Sequence, residues 1–453
     1  MADPNNSVKI VEICRVAPQH ADQEFSLPLT FFDIIWLKFP PIQRLYFYEI
    51  LSSSKNTFFF DSILPKLKTS LSLTLHHFPP LAGNITWPQD SPKPILSYLR
   101  GDAVSVTVAE SDADFHHLVS SNSFNIEAKE YHPLVPRLEV CHEKAAALAL
   151  QITLFPNNGF SIGTSVHHAA LDGKMSTMFV KSWAYICKHE SDLVPDQLKP
   201  FYDRRVIPDP TRIDLIYSNH FLNMDLEGPN NRSLMPFQFK APQPDSVRGC
   251  FQFTPTKIEA IRQLVKEKKQ QHQSVHLSTF CVATAYAWIC LVKAEEFKSE
   301  KIRLIFSVDC RSRLDPQISE NYFGNCIAPR IAVAESEGIL GEDGLVMAVN
   351  AISEALEGLN NRLLNGAEAW MEIMQPQADK LFSVAGSHRF RIYDTDFGWG
   401  RPRKSEVVTI DRTGAISFSD SKDGDGSIEI GVVLKKQCME VFASLFAKGI
   451  EDL

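Results

Sequence analysis

Two apolar segments separated by a tight turn place the strongest constraint on how this chain can fold. Residues 145–155 and 160–166 are apolar runs on either side of the turn sequence PNNG at 156–159. Such runs around an Asn-Gly turn predict two antiparallel strands joined as a β-hairpin. Residues 174–187 then carry apolar side chains at helical spacing, which predicts a helix soon after the second strand. The loop between strand and helix is where a rigid scaffold would present reactive side chains.

That loop has the composition of a chemical site. The stretch TSVHHAALDG, from Thr164 to Gly173, contains His167, His168 and Asp172. A zinc site is one interpretation, but zinc needs three or four ligands, and the chain has no HExxH or CxxC pattern. A second interpretation makes the histidine a general base, because a neutral imidazole can accept a proton from a hydroxyl, with the aspartate holding the loop in shape. The third is a buried histidine satisfied by hydrogen bonds.

The length of the chain predicts two domains. With 453 residues, 44% of them hydrophobic, it is longer than one ordinary core, so we expect two domains of roughly 200 residues each. Residues 190–243 are rich in Pro, Asn and Asp with few periodic segments, which predicts a linker. The net charge of −8 argues against a general surface for nucleic acid or anionic membranes.

Cysteine usage and hydropathy predict a soluble cytosolic protein. The nine cysteines are scattered, which favours free thiols in a reducing compartment over a disulfide framework. The first residues lack the basic and apolar regions of a secretory signal, and the last ones match no peroxisomal or lipidation signal. Uninterrupted apolar runs fall short of the roughly 18 residues that a membrane span needs.

Periodicity predicts further elements in both halves. In the first half we expect a strand at Val8–Val16 and a helix at 62–77 with Asp61 as its N-cap. In the second half we expect strands at 247–253 and 302–308, and helices at 257–268, 278–292, 345–361 and 437–446. Residues 420–426 resemble a calcium loop, but the spacing is not that of an EF-hand and strands flank it, so a hairpin turn is favoured. Two mixed α/β halves favour a site at their interface.

Three motifs, distributed over both halves, carry a family resemblance. They are HHAALDG at 167–173, NYFGNC at 321–326 and DFGWG at 396–400. Together they resemble the plant BAHD family of acyl-CoA-dependent acyltransferases, and the segments LPLTFFDIIWL and SLSLTLHHFPPLAGN extend the resemblance over the whole chain. HxxxD alone is a weak pattern and DFGWG a stronger one, but one of each in the two halves is specific. HHAALDGK and FPNNGFSIG are most similar to phenolic glucoside malonyltransferases, whereas YFGNC is shared with hydroxycinnamoyl-transferring relatives.

The resemblance implies a fold and a reaction. The fold is α/β, with two chloramphenicol-acetyltransferase-like domains of mixed sheets, a long crossover loop and an active-site channel at the interface. It implies domains at 1–195 and 244–453, a crossover at 196–243, and a segment near 368–388 that returns to the first domain. The reaction moves a malonyl group from malonyl-CoA, a co-substrate, to a sugar hydroxyl, expected to be the 6-hydroxyl, of phenolic, flavonoid or anthocyanin glucosides. No bound cofactor and no metal are expected. The implied protein is a monomer.

Two alternatives stay open beside this implied reaction. The first is a hydroxycinnamoyl-CoA-dependent transferase on the same scaffold, acting on anthocyanin or flavonoid glucosides. The second is a degenerate homologue that only binds ligands. In the enzymatic reading, acyl-CoA and a glycosylated phenolic molecule are the partners, and no covalent acyl-enzyme is required, so none of the cysteines needs a role as nucleophile.

The resemblance also assigns roles around the histidine loop. His168 matches the family's general base, and His167 is expected to support it. Asp172 is expected to point away from the channel and pair with an arginine, with Arg311 as the first candidate and Arg313 as the second. Gly173 is expected to support the site.

Further roles fall outside that loop. Asp396 of DFGWG is counted as catalytic together with the histidine, with shaping the channel as its favoured role and direct proton transfer as the alternative, while Gly398, Trp399 and Gly400 support the turn. Ser278 and Thr279, at a helix start, and Arg313 are expected to bind acyl-CoA, with the basic helix near Lys257 meeting its 3′-phosphate. Malonyl selection needs a cation; Lys174 is a candidate, and its alternative is an exposed first-turn residue.

Overall fold

The structure is a computed structural model that describes residues 8–19, 23–51, 55–120, 124–224, 229–239, 243–268, 277–297, 299–357, 359, 363–374 and 381–451. In chain order its strands are β1 (Val8–Val16), β2 (Phe25–Pro28), β3 (Ile42–Glu49), β4 (Asn84–Thr86), β5 (Ile95–Tyr98), β6 (Val104–Ser111), β7 (Ile126–Glu127), β8 (Lys144–Ala146), β9 (Leu148–Phe155), β10 (Gly159–Val166), β11 (Ser246–Phe253), β12 (Lys301–Asp309), β13 (Ile327–Glu335), β14 (Leu381–Gly386), β15 (Lys404–Val407), β16 (Ala415–Asp420) and β17 (Ile428–Lys435).

The α-helices lie against these strands, and short 3₁₀ turns connect several elements. In chain order they are α1 (Phe31–Ile34), α2 (Lys55–Phe58), α3 (Leu64–His77), α4 (Phe115–Leu118), α5 (Gly173–His189), α6 (Ile213–Leu222), α7 (Pro255–Lys268), α8 (Thr279–Ala294), α9 (Ser336–Leu340), α10 (Gly344–Leu356), α11 (Trp370–Met374), α12 (Ile410–Thr413) and α13 (Lys436–Glu451). In the described ranges, no helix is both long enough and apolar enough to span a membrane.

The described residues form three sheets, and the two large ones exchange edge strands. The six-stranded sheet has the order β1-β6-β9-β10-β3-β15, the seven-stranded sheet β13-β12-β14-β16-β17-β11-β7, and the four-stranded sheet β2-β5-β4-β8. Strand β15 comes from the second half of the chain and pairs with β3 of the first half. Strand β7 comes from the first half and pairs with β11 of the second. Each large sheet is therefore completed by the other half.

This exchange corrects the expectation for the segment near 368–388. Strand β14, at Leu381–Gly386, lies inside the seven-stranded sheet and pairs in parallel with both β12 and β16. Residues 375–380 lie outside the described ranges. The strand that returns to the first sheet is Lys404–Val407, because β3 offers it an open edge there. The predicted domain limits themselves stay a prediction.

The hairpin predicted from the first apolar runs is confirmed. Strands β9 and β10 pair antiparallel, with Phe155 opposite Gly159, and every residue of both strands is buried. Both strands are internal to the sheet, so both faces are covered and they read as continuous apolar runs. A Cβ at Gly159 would lie 2.2 Å from the carbonyl oxygen of Tyr48, so glycine is required where the turn enters the sheet. The hairpin thereby delivers a rigid strand end to the histidine loop.

Three predicted boundaries differ in the structure. Asp61 does not cap a helix, because α2 continues through a π-helical turn at Phe59–Ile63 into α3 with helical backbone angles throughout. The helix expected at 345–361 ends at Leu356. The segment predicted as a linker contains α6, which was not predicted because neighbouring prolines obscure the spacing of its buried residues.

The hairpin turn predicted at 420–426 is confirmed. This run connects β16 and β17 and is closed by a hydrogen bond from Ser421 N–H to Ser427 O at 3.2 Å.

Candidate active site

The histidine loop leaves β10 and turns at once into α5. His167 N–H donates to Ala147 O at 2.9 Å, and the Ala169 N–H donates to His167 Nδ1 at 3.2 Å. Asp172 then caps α5, because its Oδ1 accepts the Met175 N–H at 2.9 Å. The His167 ring is therefore hydrogen-bonded to the main chain of the loop, whereas the His168 ring contacts other side chains.

The ring of His168 is held by two aromatic side chains. It stacks on Trp36, with ring centroids 4.1 Å apart and planes 5° from parallel, and meets the edge of Phe39 at 6.3 Å. Burial lowers its pKa to about 4, and hydrogen bonding with its own main chain and with the Asn325 side chain only partly opposes that effect. The imidazole is therefore neutral near pH 7 and able to accept a proton.

Asp172 forms the ion pair that the family resemblance predicts with Arg311. Arg311 Nη2 lies 2.8 Å from Asp172 Oδ2, and the side chains are 0% and 1% exposed. The same oxygen accepts the Cys326 N–H at 3.2 Å, so both carboxylate oxygens are occupied. Burial lowers the pKa of the Arg311 guanidinium, but the charges of Asp172 and Asp309 outweigh it and raise the pKa above its ordinary value. This geometry suits support of the loop and leaves no oxygen for a proton relay.

Arg311 makes several further bonds through its two Nη atoms, whereas Arg313, the second candidate, is exposed. The Arg311 guanidinium donates to Asp309 Oδ1 and to the carbonyl oxygens of Tyr322 and Gly324, each at 3.1 Å. Arg313 is exposed and donates to the Asp309 main-chain oxygen at 2.8 Å. Of the two arginines, Arg311 is the one that holds the loop.

A second polar network ties the histidine loop to three other parts of the chain. Asn325 Nδ2 donates to His168 O at 2.9 Å and to Asp33 Oδ1 at 3.1 Å. The other oxygen of Asp33 accepts the Thr30 N–H at 3.0 Å and lies 3.2 Å from Arg204 Nη1. None of these residues was predicted to belong to the site. The sequence signal that could have revealed Asp33 and Asn325 is that each is a polar residue inside a largely apolar motif, LTFFD and NYFGNC respectively.

Asp396 lies beside the end of α5 that is remote from the histidine loop, a position that favours a supporting role, and its assignment as a catalytic residue stays a prediction. Its Oδ1 accepts N–H groups from the two glycines of the motif, at 2.8 and 3.0 Å, and its Oδ2 lies 2.7 Å from Lys188 Nζ. Lys188 is in the last turn of α5, roughly 24 Å from Asp172 at the α-helical rise per residue. Burial would raise the pKa of Asp396, but the bonds from Lys188 and the two glycines lower it. A proton cannot pass directly between groups so far apart.

The DFGWG turn instead packs the far end of α5 against the first sheet. Phe397 is fully buried between Tyr48 and Trp183, with ring centroids 5.6 and 5.0 Å away. Lys66 lies over the Trp399 ring at 5.5 Å. The turn needs its glycines, since the φ angles of the two are +105° and +101°.

We expect Asp396→Ala to lower stability and leave catalysis nearly unchanged. Losing its charge-assisted bonds should reduce the free energy of unfolding by about 1–3 kcal/mol. The kcat should stay within about threefold of the wild type, because the change lies at the opposite end of α5 from His168. Thermal unfolding and initial rates on the same preparation test this. A hundredfold lower kcat with unchanged unfolding would support the catalytic assignment.

The residues expected to bind acyl-CoA are only partly brought together. Ser278 Oγ accepts the Cys281 N–H at 3.2 Å and caps α8, while Thr279 Oγ1 accepts from Arg262 Nη2 of α7 at 3.5 Å. The predicted helix start therefore adjoins the predicted basic helix. Arg313 lies in the loop after β12, beside Asp309.

The first residues of α5 contact residues in the second half of the chain. Lys174 Nζ lies 3.0 Å from Asp309 Oδ2 and also contacts Glu320, so this candidate for the malonyl carboxylate already has two carboxylate partners. A Cβ at Gly173 would lie 2.9 Å from the ring of Phe390, so the glycine allows the two halves to approach.

A different cation is buried beside the histidines. Lys38 is 1% exposed, and its Nζ contacts the main-chain oxygens of Ser233 and, at 3.3 Å, Met235, both in the segment predicted as the crossover. Burial lowers its pKa to about 8, so it remains mainly protonated at pH 7. Over the described ranges, no cluster of three or more His, Cys, Asp or Glu side chains is arranged to hold a metal ion.

Comparison with known proteins gives consistent matches over almost the whole chain. Residues 6–448 match the model of the Transferase family. The chain is 39% identical to phenolic glucoside malonyltransferase 1 of Arabidopsis thaliana, covering 99% of this chain and 98% of that protein. It is 36% identical to agmatine coumaroyltransferase of the same organism, covering 98% and 99%. Its fold is similar to the crystal structure of vinorine synthase, with a TM-score of 0.68, 21% identity, and 97% and 98% of the two chains covered.

Proposed function

The chain belongs to the Transferase family of BAHD acyl-CoA-dependent acyltransferases, and we propose that it transfers a malonyl group from malonyl-CoA to a sugar hydroxyl, the 6-hydroxyl, of phenolic, flavonoid or anthocyanin glucosides. The proposal is carried by one observation: a neutral, aromatic-stacked His168 follows an internal strand in a chain 39% identical, over nearly its full length, to a phenolic glucoside malonyltransferase. The fold is that of the two-domain α/β acyltransferases.

In the proposed reaction His168 acts as the general base. Its imidazole removes the proton from the sugar hydroxyl as the oxygen attacks the thioester carbonyl carbon of the acyl donor. The C–O bond forms, the tetrahedral intermediate collapses with cleavage of the C–S bond, and the CoA thiolate leaves. The proton on the imidazole can then pass to the sulfur. No metal is needed for any of these steps.

Two sets of contacts position this base. The Asp172–Arg311 pair fixes the start of α5, and Asn325 holds the His168 carbonyl oxygen at 2.9 Å. Because Asp33 in turn holds Asn325, the orientation of the loop depends on both halves of the chain. We assign Asp172, Arg311, Asn325 and Asp33 positioning roles, with Gly173 giving the clearance and the DFGWG turn supporting α5.

Direct transfer without an acyl-enzyme agrees with the state of the buried thiols. Burial raises the pKa of Cys310 to about 12 and that of Cys326 well above its ordinary value. Both thiols therefore stay protonated and are poor nucleophiles at neutral pH. Cys326 contributes its main-chain N–H to Asp172 instead.

We expect the kcat/KM of the enzyme to keep a constant value down to about pH 5. The base must be neutral in the free enzyme, and burial places the pKa of His168 near 4, so activity should fall only as the pH drops through about 4. Initial rates at low donor concentration between pH 4 and 8 measure this decrease in kcat/KM. A decrease centred near pH 6.5, the ordinary pKa of an exposed histidine, would contradict the prediction.

That pH series needs a stability control of known sign. The pKa of His167 is lowered to about 3 and that of His168 to about 4, whereas an unfolded chain protonates its histidines from about 6.5 downwards. The unfolded state therefore binds more protons over this window, and stability decreases as the pH falls below about 6.5. Brief incubation at each pH, followed by assay at pH 7, separates lost folding from lost catalysis.

The substrate assignment is tested with a matched donor panel. Purified protein is given malonyl-CoA, acetyl-CoA or coumaroyl-CoA with a panel of phenolic, flavonoid and anthocyanin glucosides, and products are read by mass. We expect malonylated glucosides and preferred use of malonyl-CoA. Preference for coumaroyl-CoA would favour the hydroxycinnamoyl transferase, and absence of CoA release with every pair would favour a ligand-binding homologue.

The surrounding assignments are part of the same proposal. We propose that Ser278, Thr279 and Arg313 contact acyl-CoA, and that residues 1–195 and 244–453 form two domains, each with one strand from the other, joined by residues 196–243. A cytosolic monomer without nucleic-acid or membrane partners is also proposed, on the net charge of −8 and the unpaired cysteines. Light scattering on purified protein tests the monomer.

A further inference from the structure

Within the described part of the chain, a buried lysine without a carboxylate partner lies beside the proposed catalytic loop. Among the described residues, the hydrogen-bond partners of Lys38 are the neutral main-chain oxygens of Ser233 and Met235. Burial is the cause of its lowered pKa, and no carboxylate opposes that effect. An ammonium group has three N–H donors, so one donor remains after these two bonds. A buried charge in this condition is costly, and an anionic ligand would offset the cost.

The neighbours of Lys38 place its charge near the proposed catalytic histidine. Trp36 and Phe39, on either side of it in sequence, both contact the His168 ring. The charge of Lys38 also contributes to the lowered pKa of His167, after burial and the neighbouring histidine. The cation therefore lies within electrostatic reach of the loop that would receive the acyl group.

We propose that Lys38 binds the free carboxylate of the malonyl group and so selects malonyl-CoA over thioesters that lack this carboxylate. The proposal rests on the proposed function. In a malonyl thioester one methylene separates the carboxylate from the reacting carbonyl carbon, so its cation must lie on the wall of the catalytic site. Charge pairing in a dry site discriminates strongly against a neutral donor, because that donor leaves the ammonium uncompensated.

Three other cations near the loop, Lys174, Arg311 and Arg389, are less suited to this role. Lys174 is paired with Asp309 and Glu320, and Arg311 is paired with Asp172 and Asp309. Arg389 is exposed and precedes Phe390, whose ring adjoins Gly173. It therefore serves as the competing cation in the experiment.

The test compares malonyl-CoA with acetyl-CoA, which has the same acyl group without the carboxylate. For wild type and Lys38→Met, kcat/KM is measured for both donors with one glucoside, and the Kd of each thioester is measured by calorimetry. We expect the malonyl-to-acetyl ratio of kcat/KM to fall on the order of a hundredfold in the variant. The Kd of malonyl-CoA should rise, while the acetyl-CoA values change little. Lys38→Gln, which keeps a donor for the Ser233 oxygen, replaces Lys38→Met if that variant does not fold.

Two matched variants separate donor selection from support of the crossover segment. Ser233→Ala removes the contact of its Oγ with His142 Nδ1 at 2.9 Å while keeping the Lys38 charge, so both donors should change equally. Arg389→Gln should leave the ratio unchanged. An equal loss for both donors in the Lys38 variants, or a changed ratio in Arg389→Gln alone, overturns the proposal. If the wild type itself neither binds nor uses malonyl-CoA, the proposed function fails first, and this inference fails with it.

Discussion

His168→Ala should reduce kcat by roughly 10²- to 10⁴-fold, the contribution of a positioned general base. The variant should still fold, because the ring packs on Trp36 and Phe39 while the loop itself is held by main-chain bonds and by Asp172. Donor binding should be nearly unchanged, so the loss appears in kcat rather than in KM. Stopped assays of thiol release with malonyl-CoA and an accepted glucoside measure the effect.

The matched control for this variant is His189→Ala. His189 is the last residue of α5, exposed and in contact with Tyr185, so the two substitutions remove the same side chain next to the two ends of one helix. We expect wild-type kcat in the control. If His168→Ala kept more than a tenth of the wild-type kcat while folded, another group would have to be the base.

Arg311→Met should be the most destabilising of the changes considered. It leaves the carboxylate of Asp172 buried with its counter-charge removed, which costs about 3–5 kcal/mol in the free energy of unfolding. Activity should fall with it, because the N-terminal turn of α5 and the His168 loop share that carboxylate. Urea unfolding with equal slopes for the two proteins measures the stability.

Asp172→Asn in the Arg311→Met background tests the electrostatic reason for this loss. An asparagine can still cap the helix by accepting the Met175 N–H with its single oxygen, and it carries no charge, but it offers no second oxygen to the Cys326 N–H. We expect the double variant to recover part of the lost stability, since no unpaired charge remains buried. Losses that simply add would show that the pair has no coupling and that the fold depends on the residues separately.

Short-range sequence patterns were sufficient to predict the strands and helices that carry the site. The β9–β10 hairpin, α5 and α8 follow from apolar runs, an Asn-Gly turn and helical spacing, all of which act over a few residues. Strands β7 and β15 were not predicted, because two and four residues contain too little periodicity and their partners lie far along the chain. Their pairing is decided by which sheet edges the assembled halves leave open.

The sequence pattern and the family resemblance predicted one contact of the site and missed several others. The Asp172–Arg311 contact was predicted because the family resemblance implies that the aspartate of HxxxD pairs with an arginine. The position of Asp396 beside the remote end of α5 could not be predicted, because the presence of a motif carries no information about its distance from His168. Asn325, Asp33 and Lys38 act through contacts between distant parts of the chain, which no local period reveals.

The exchanged edge strands have a consequence for recombining this protein with its relatives. A chimaera that joins the first half of one sequence to the second half of another also transplants β15 into a foreign six-stranded sheet and β7 into a foreign seven-stranded one. Either half produced alone would leave an unpaired sheet edge, which favours aggregation. Boundaries for such exchanges should therefore be chosen so that Ile126–Glu127 and Lys404–Val407 travel with the sheets that receive them.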